Sequence, residues 1–100
     1  LKRSRSSYTL SEKASADIAE IAHSSAAQWG MERAERYIVA LHQTCLALVD
    51  YPDTGRDARD IRHGYMRIES GSHVIFYLTR NAGVLVIRLL HQRMDFMRHL

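Results

Sequence analysis

The 100-residue chain has one cysteine, Cys45, and only two lysines, Lys2 and Lys13. A single thiol excludes an internal disulfide and a thiolate metal site, so a reducing compartment is expected and Cys45 reads as a buried thiol on an apolar helix face. No apolar run reaches the roughly 18 residues of a membrane span, and LKRSRSSYTLS at the amino end lacks the apolar segment of a secretory signal. A cytoplasmic protein with no membrane partner is expected. His63, His73, His91 and His99 show no close paired spacing, so no metal is expected. The chain also lacks a glycine-rich phosphate loop, a nucleophile elbow and a paired-carboxylate signature, which disfavours hydrolases and nucleotide enzymes of familiar type and leaves no cofactor expected.

What is present suits one compact domain, residues 1–100, with a single modest core: 46% of residues are hydrophobic and 25% charged. The net charge of +3 is unevenly placed. Residues 1–50 balance six basic against six acidic groups, whereas residues 51–100 carry eight arginines, no lysine and five acids. Arginine alone in a half that reads as sheet favours bidentate recognition of carboxylate or phosphate, hence an acidic partner. The competing reading is that these arginines cover sheet edges and tie loops down.

The periodicity predicts an α+β, two-layer domain in which an antiparallel helix hairpin packs on an antiparallel sheet, in the order β-α-α-β-β-β with a short C-terminal helical turn. Tyr8-Thr9-Leu10 is a short strand and Ser11 an N-cap. Ala14, Ile18, Ile21, Ala22 and Ser25 form one stripe, with Lys13, Asp17, Glu20 and His23 off it. Gly30 stops this helix, and a second follows with Ala34, Tyr37, Ile38, Leu41, Cys45 and Leu48 on one face, ending before Asp50-Tyr51-Pro52. Residues 52–56 are turn-forming and residues 57–63, DARDIRH, read as a charged surface loop. Three strands follow, Tyr65 to Glu69, His73 to Thr79 and Val84 to Leu90, joined by Ser70-Gly71-Ser72 and Asn81-Ala82-Gly83 as an antiparallel meander. The last strand is apolar except for Arg88, so it reads as a central strand covered on both faces. Alternation puts Val84, Val86, Arg88 and Leu90 on one face, and Leu85, Ile87, Leu89 and His91 on the other. Phe96 and Leu100 are spaced to fold a terminal turn back on the sheet.

Beyond the last strand lie His91, Arg93 and Asp95, with Arg67 and Arg88 on neighbouring strands. A histidine and arginines of this kind can cleave a phosphodiester. The plainer readings are a hydrogen-bonded imidazole closing the strand for His91, and a local ion pair or helix cap for Arg93 and Asp95. Trp29 and Tyr37 read as packing within the hairpin, or as a surface crossed by a partner peptide.

Taken in order, YTLSEKASADIAEI, Trp29-Gly30 with Ala34 and Tyr37, Pro52 with Gly55-Arg56, Gly64 with Arg67, HVIFY and IRLLHQRMDFMRHL form a set. In this the chain resembles the ParE toxins of bacterial type II toxin-antitoxin pairs, within the RelE/ParE superfamily. The resemblance implies a toxin that binds DNA gyrase, stalls it on cleaved DNA and blocks replication without being an enzyme. It also implies a ParD-like antitoxin, a DNA-binding dimerisation domain with an acidic flexible tail that folds over the toxin. Nucleic acid is then met only through antitoxin or gyrase. His91, Arg93, Met94 and Asp95 are the positions expected to carry toxicity, and Arg67, Tyr77, Arg88, Trp29 and Tyr37 those expected to meet the antitoxin. Two other readings follow: the RelE-like branch, which cuts messenger RNA on the ribosome, and an inactive relic that serves as antitoxin partner and co-repressor. Scarce lysine counts against an RNase.

Overall fold

A computed structural model describes residues 8–81 and 83–100. Lys2, Arg3 and Arg5 and the middle residue of the Asn81-Ala82-Gly83 turn lie outside the described residues. The elements are β1 (Thr9–Leu10), α1 (Glu12–Trp29), α2 (Met31–Asp50), β2 (Arg56–Asp57), β3 (Met66–Ser70), β4 (His73–Arg80), β5 (Gly83–His91) and α3 (Phe96–His99). The expected α+β layering is present, with one five-stranded sheet in the order β1-β5-β4-β3-β2.

Local chemistry sets the element ends. The Ser11 hydroxyl oxygen accepts the Ala14 N–H at 3.0 Å, capping α1. The same hydroxyl donates to the Ile87 carbonyl at 2.7 Å, and the Ser11 N–H donates to the Val86 carbonyl, so the cap also ties the helix start to β5. Gly30 separates the helices at φ +93°, a value that disfavours any side chain. Its ψ of 162° leaves the chain extended there, outside the left-handed helical well. α1 and α2 then fold back on each other over one face of the sheet.

Two corrections concern pairing. The meander from β2 to β5 is antiparallel as expected, but β1 runs parallel to β5, with Thr9 opposite Leu85 and Leu10 opposite Val86. The sheet is therefore mixed. Strict alternation along β5 also fails, because Phe76 faces Arg88 while the next residue, Tyr77, faces Val86, leaving Ile87 as an extra residue in the ladder. Val84, Val86 and Leu89 consequently share the helix-side core, and Leu90 belongs to the other face.

Both faces of β5 are covered. On the helix side the core holds Ala14, Ile21, Leu41, Cys45, Leu48, Ile75, Tyr77, Val84, Val86 and Leu89. On the outer face a smaller core of Ala58, Val74, Phe76 and Leu90 is flanked by Ile61, Tyr65, Phe96 and Leu100. Residues 57–63 are thus not a merely solvated loop. Ala58 is fully buried, and its carbonyl accepts the N–H groups of Ile61 and Arg62, while its own N–H donates to Tyr65. Phe96 meets Phe76 edge-on with ring centroids 5.0 Å apart, and the Arg62 guanidinium donates to the Leu100 carbonyl at 3.0 Å. The terminal turn closes the outer core as the spacing of Phe96 and Leu100 predicts.

Candidate functional site

Five of the sequence-predicted residues, Trp29, Tyr37, His91, Arg93 and Met94, gather on one side of the molecule, where the end of β5 passes the second half of α1. His73 and His91 face each other across β4 and β5, and an aromatic ladder runs from them into the hairpin. Ring centroids are 5.4 Å apart for His73 and His91, 5.6 Å for Tyr37 and His73, and 5.6 Å for Trp29 and Tyr37. The Arg33 guanidinium lies 4.6 Å from the Trp29 ring and extends the ladder to the surface. Tyr37 is the hub of this ladder. Its hydroxyl accepts the Ser72 N–H at 2.9 Å and lies 2.7 Å from His73 Nδ1, pinning the β3–β4 turn. A side chain at Gly71, where φ is +61°, would strike the Tyr37 ring.

Trp29, His73 and His91 of the ladder line a cleft of about 500 Å³, together with Glu20, Ser24 and Gln28 of α1 and Arg93 and Met94 after β5. Burial, and then the neighbouring His91, pull the His73 pKa below its usual value against an opposing pull from Asp17. His73 is therefore biased to the neutral form. The Arg93 N–H donates to His91 Nδ1 at 3.1 Å, which commits that nitrogen as an acceptor and makes His91 the strand-closing imidazole. Met94 is 45% exposed on the cleft rim.

The structure separates the other predicted residues. Arg88 is held inside: its Nε and Nη2 donate to the two Asp17 oxygens at 2.8 and 2.9 Å, and its Nη1 donates to the His99 carbonyl at 2.7 Å. The Leu89 N–H donates to the same carboxylate at 2.9 Å. Arg88 is thus a staple between β5, α1 and the tail, and not a free surface cation. Tyr77 has no exposure at all, which corrects its assignment to an antitoxin surface. Its hydroxyl donates to the Pro52 carbonyl at 2.8 Å and accepts the Gly55 N–H at 3.1 Å, holding the chain between α2 and β2 against the sheet. A Cβ at Gly55 would collide with that hydroxyl, so a glycine is required there. Asp95 precedes α3 and sits 3.9 Å from Arg98 on the surface. Arg67 lies on the outer face, away from the aromatic ladder, 3.7 Å from Asp60.

Cys45 is buried, and burial pushes its thiol pKa up to about 11, which removes it as a nucleophile. Among the described residues no group of three or more metal-ligating side chains is assembled. No helix among them is long and apolar enough to cross a membrane. Three of the four arginines in the strands face a carboxylate: Arg56 lies 3.6 Å from Glu69, Arg67 3.7 Å from Asp60 and Arg88 2.8 Å from Asp17.

Residues 8–96 match the family model described as ParE toxin of the type II toxin-antitoxin system parDE. The chain belongs to the ParE toxin family. Toxin ParE1 of Caulobacter vibrioides is 40% identical over 93 residues, covering 93% of this chain and 96% of the relative. Toxin ParE1 of Mycobacterium tuberculosis (strain H37Rv) is 38% identical over 96 residues, covering 95% and 98%. A solved structure titled as the chromosomal ParDE TA system from P. aeruginosa aligns with a TM-score of 0.75 at 15% identity, covering 88% of this chain and 98% of that one. That likeness shows a shared fold. As a ParE-type toxin, the chain is the toxin half of a toxin-antitoxin module and has an antitoxin as its partner class.

Asp17 and His73 were missed in sequence. Asp17 reads as lying off the stripe, yet it follows Ala14 by three and precedes Ile21 by four and so borders the buried face, and a lone arginine in an apolar strand was the signal that could have singled it out. His73 sits at the start of a strand whose partner ends in His91, a pairing visible only once the register is known.

Proposed function

We propose that this ParE family member acts as a single toxin domain in the cytoplasm, binds DNA gyrase and traps it on cleaved DNA, and is neutralised by a ParD-like antitoxin with an acidic tail. The 40% identity to a Toxin ParE1 over 93 residues carries this reading. The side chains agree with binding over catalysis in that Arg88, on the strand that ends in His91, is taken up by the Asp17 carboxylate at 2.8 and 2.9 Å and by the His99 carbonyl at 2.7 Å. A phosphodiester-cleaving site needs such groups free to meet phosphate. Arg93, Met94 and Asp95, exposed beyond His91, are the contacts proposed for the target. Nucleic acid is then reached through gyrase or antitoxin alone.

The test combines antitoxin-free protein with relaxed plasmid, gyrase and ATP, and scores supercoiling and trapped double-strand breaks, with ribosomes and a short message in parallel. The expected result is lost supercoiling and linear plasmid with intact message. Replacing Arg93 and Met94 together by alanine is expected to weaken inhibition about tenfold without lowering the melting temperature, as for loss of exposed interface anchors. Intact gyrase with cut message would overturn the reading in favour of an RNase.

A further inference from the structure

Where the chain leaves the sheet after β5, its backbone is held almost entirely by one residue. The Gln92 N–H donates across the sheet to the Ser72 carbonyl at 2.8 Å. The next two N–H groups turn back on the strand end: that of Arg93 donates to His91 Nδ1 at 3.1 Å, and that of Met94 to the His91 carbonyl at 2.9 Å. The chain is anchored again at Phe96, which lies on Phe76. Arg93 and Met94 are exposed between these anchors, so the bonds to His91 set the direction in which their side chains leave the backbone.

An imidazole nitrogen accepts an N–H only while it carries no proton. The bond from Arg93 therefore belongs to neutral His91 with its hydrogen on Nε2. A further proton must go to Nδ1, where it sets two donors against each other. His73 differs. Its Nδ1 lies 2.7 Å from the Tyr37 hydroxyl, which can give or take a hydrogen and has the Ser70 carbonyl at 3.4 Å as another acceptor. A proton on His73 leaves its bond in place, whereas a proton on His91 breaks the bond that holds the turn.

The charged and titratable groups around His91 are His73 of β4, Tyr37 of α2 behind it, Asp17 and Glu20 of α1 in the same cleft, and Arg93 on its own turn. Asp17 is already bound by Arg88 and the Leu89 N–H. With ring centroids 5.4 Å apart, the two imidazoles oppose each other's charge, and burial already holds His73 toward the neutral form.

We propose that His91 is a positioning residue for the target-binding turn: neutral, it holds Arg93 and Met94 in their presenting conformation through the Arg93 N–H, and protonated, it lets that bond go. Binding is then strongest on the alkaline side of the range in which histidines titrate, about pH 5 to 8, and weakens as pH falls through it. The proposal rests on the reading of residues 93–95 as target contacts.

The test has two arms. The first follows nitrogen-15 NMR of the full chain from pH 8 to pH 5.5. The His91 ring shifts at pH 8 are expected to mark Nδ1 as bare and Nε2 as protonated. The Arg93 amide resonance is expected to move along the His91 titration curve while that of Gln92 stays in place. The second arm measures binding to immobilised gyrase at pH 8 and pH 6. His91→Ala is expected to bind about fivefold more weakly at pH 8, as for loss of one hydrogen bond. His91→Asn is expected to recover most of that loss, because an asparagine oxygen can accept the N–H two residues on and does not titrate. Between the two pH values wild type is expected to weaken about fivefold more than His91→Asn, a ratio that cancels any titration of gyrase itself. An Arg93 amide indifferent to the His91 titration, or equal pH dependence in wild type and His91→Asn, would overturn the proposal. The first arm needs no variant, so a misfolded one does not decide it. An Arg93 amide that tracks His91 in a protein binding no gyrase at either pH would uphold the latch and remove only the gyrase reading.

Discussion

Arg88 and Asp17 join the two layers at a single point, and the surroundings decide what that join is worth. Their side chains are 15% and 14% exposed, and the carboxylate also accepts the Leu89 N–H, so neither charge is left to water. Removing one partner leaves the other charge half-buried, an outcome that costs about 2 to 4 kcal/mol when measured by truncation. Asp17→Asn and Arg88→Met are each expected to lower stability to chemical denaturation by about that amount, and the double variant to lose less than their sum. Additive losses would show the pair to be independent. The sequence marked Arg88 plainly, since a lone cation in an apolar strand demands a partner. It concealed that partner because helix periodicity sorts residues by face and does not say how close a face comes to a strand end.

At the scale of elements, the tail is the part whose role changes most. Exposure rises sharply within it: Met97 is 64% exposed, whereas Phe96 lies on Phe76 and the Leu100 and His99 carbonyls accept bonds from Arg62 and Arg88. Deleting residues 92–100 therefore uncovers the outer core as well as removing the proposed target contacts. Phe96→Ala is expected to cost about 2 to 3 kcal/mol, below the usual figure for a fully buried ring because Phe96 is only part-buried, and Met97→Ala about nothing. Equal melting temperatures for the two variants would show that the tail does not hold the sheet. Helix ends and the three long strands were legible because caps, glycines and tight turns mark them. Tyr8-Thr9-Leu10 also reads as a strand and becomes β1, whereas the two-residue strand β2 and the extra residue at Ile87 were not legible. A strand of two residues has no period to read, and a bulge breaks the rule of alternation by which faces are assigned.

For the whole molecule, the layering followed from sequence while the strand order did not, because the parallel pairing of β1 with β5 spans most of the chain. β5 lies between β1 and β4, carries much of the helix-side core, and receives the Ser11 and Asp17 anchors of α1. It is also the last strand in the chain. A nascent chain halted on the ribosome with β5 still in the exit tunnel has helices with no central strand beneath them, and is expected to be cut rapidly by protease at limiting dose. Release of the full chain is expected to give protection, and equal resistance in both states would refute this. The order of strands thus acts as a timer in synthesis: the toxin fold stays unfinished until β5 has left the tunnel to take its place between β1 and β4.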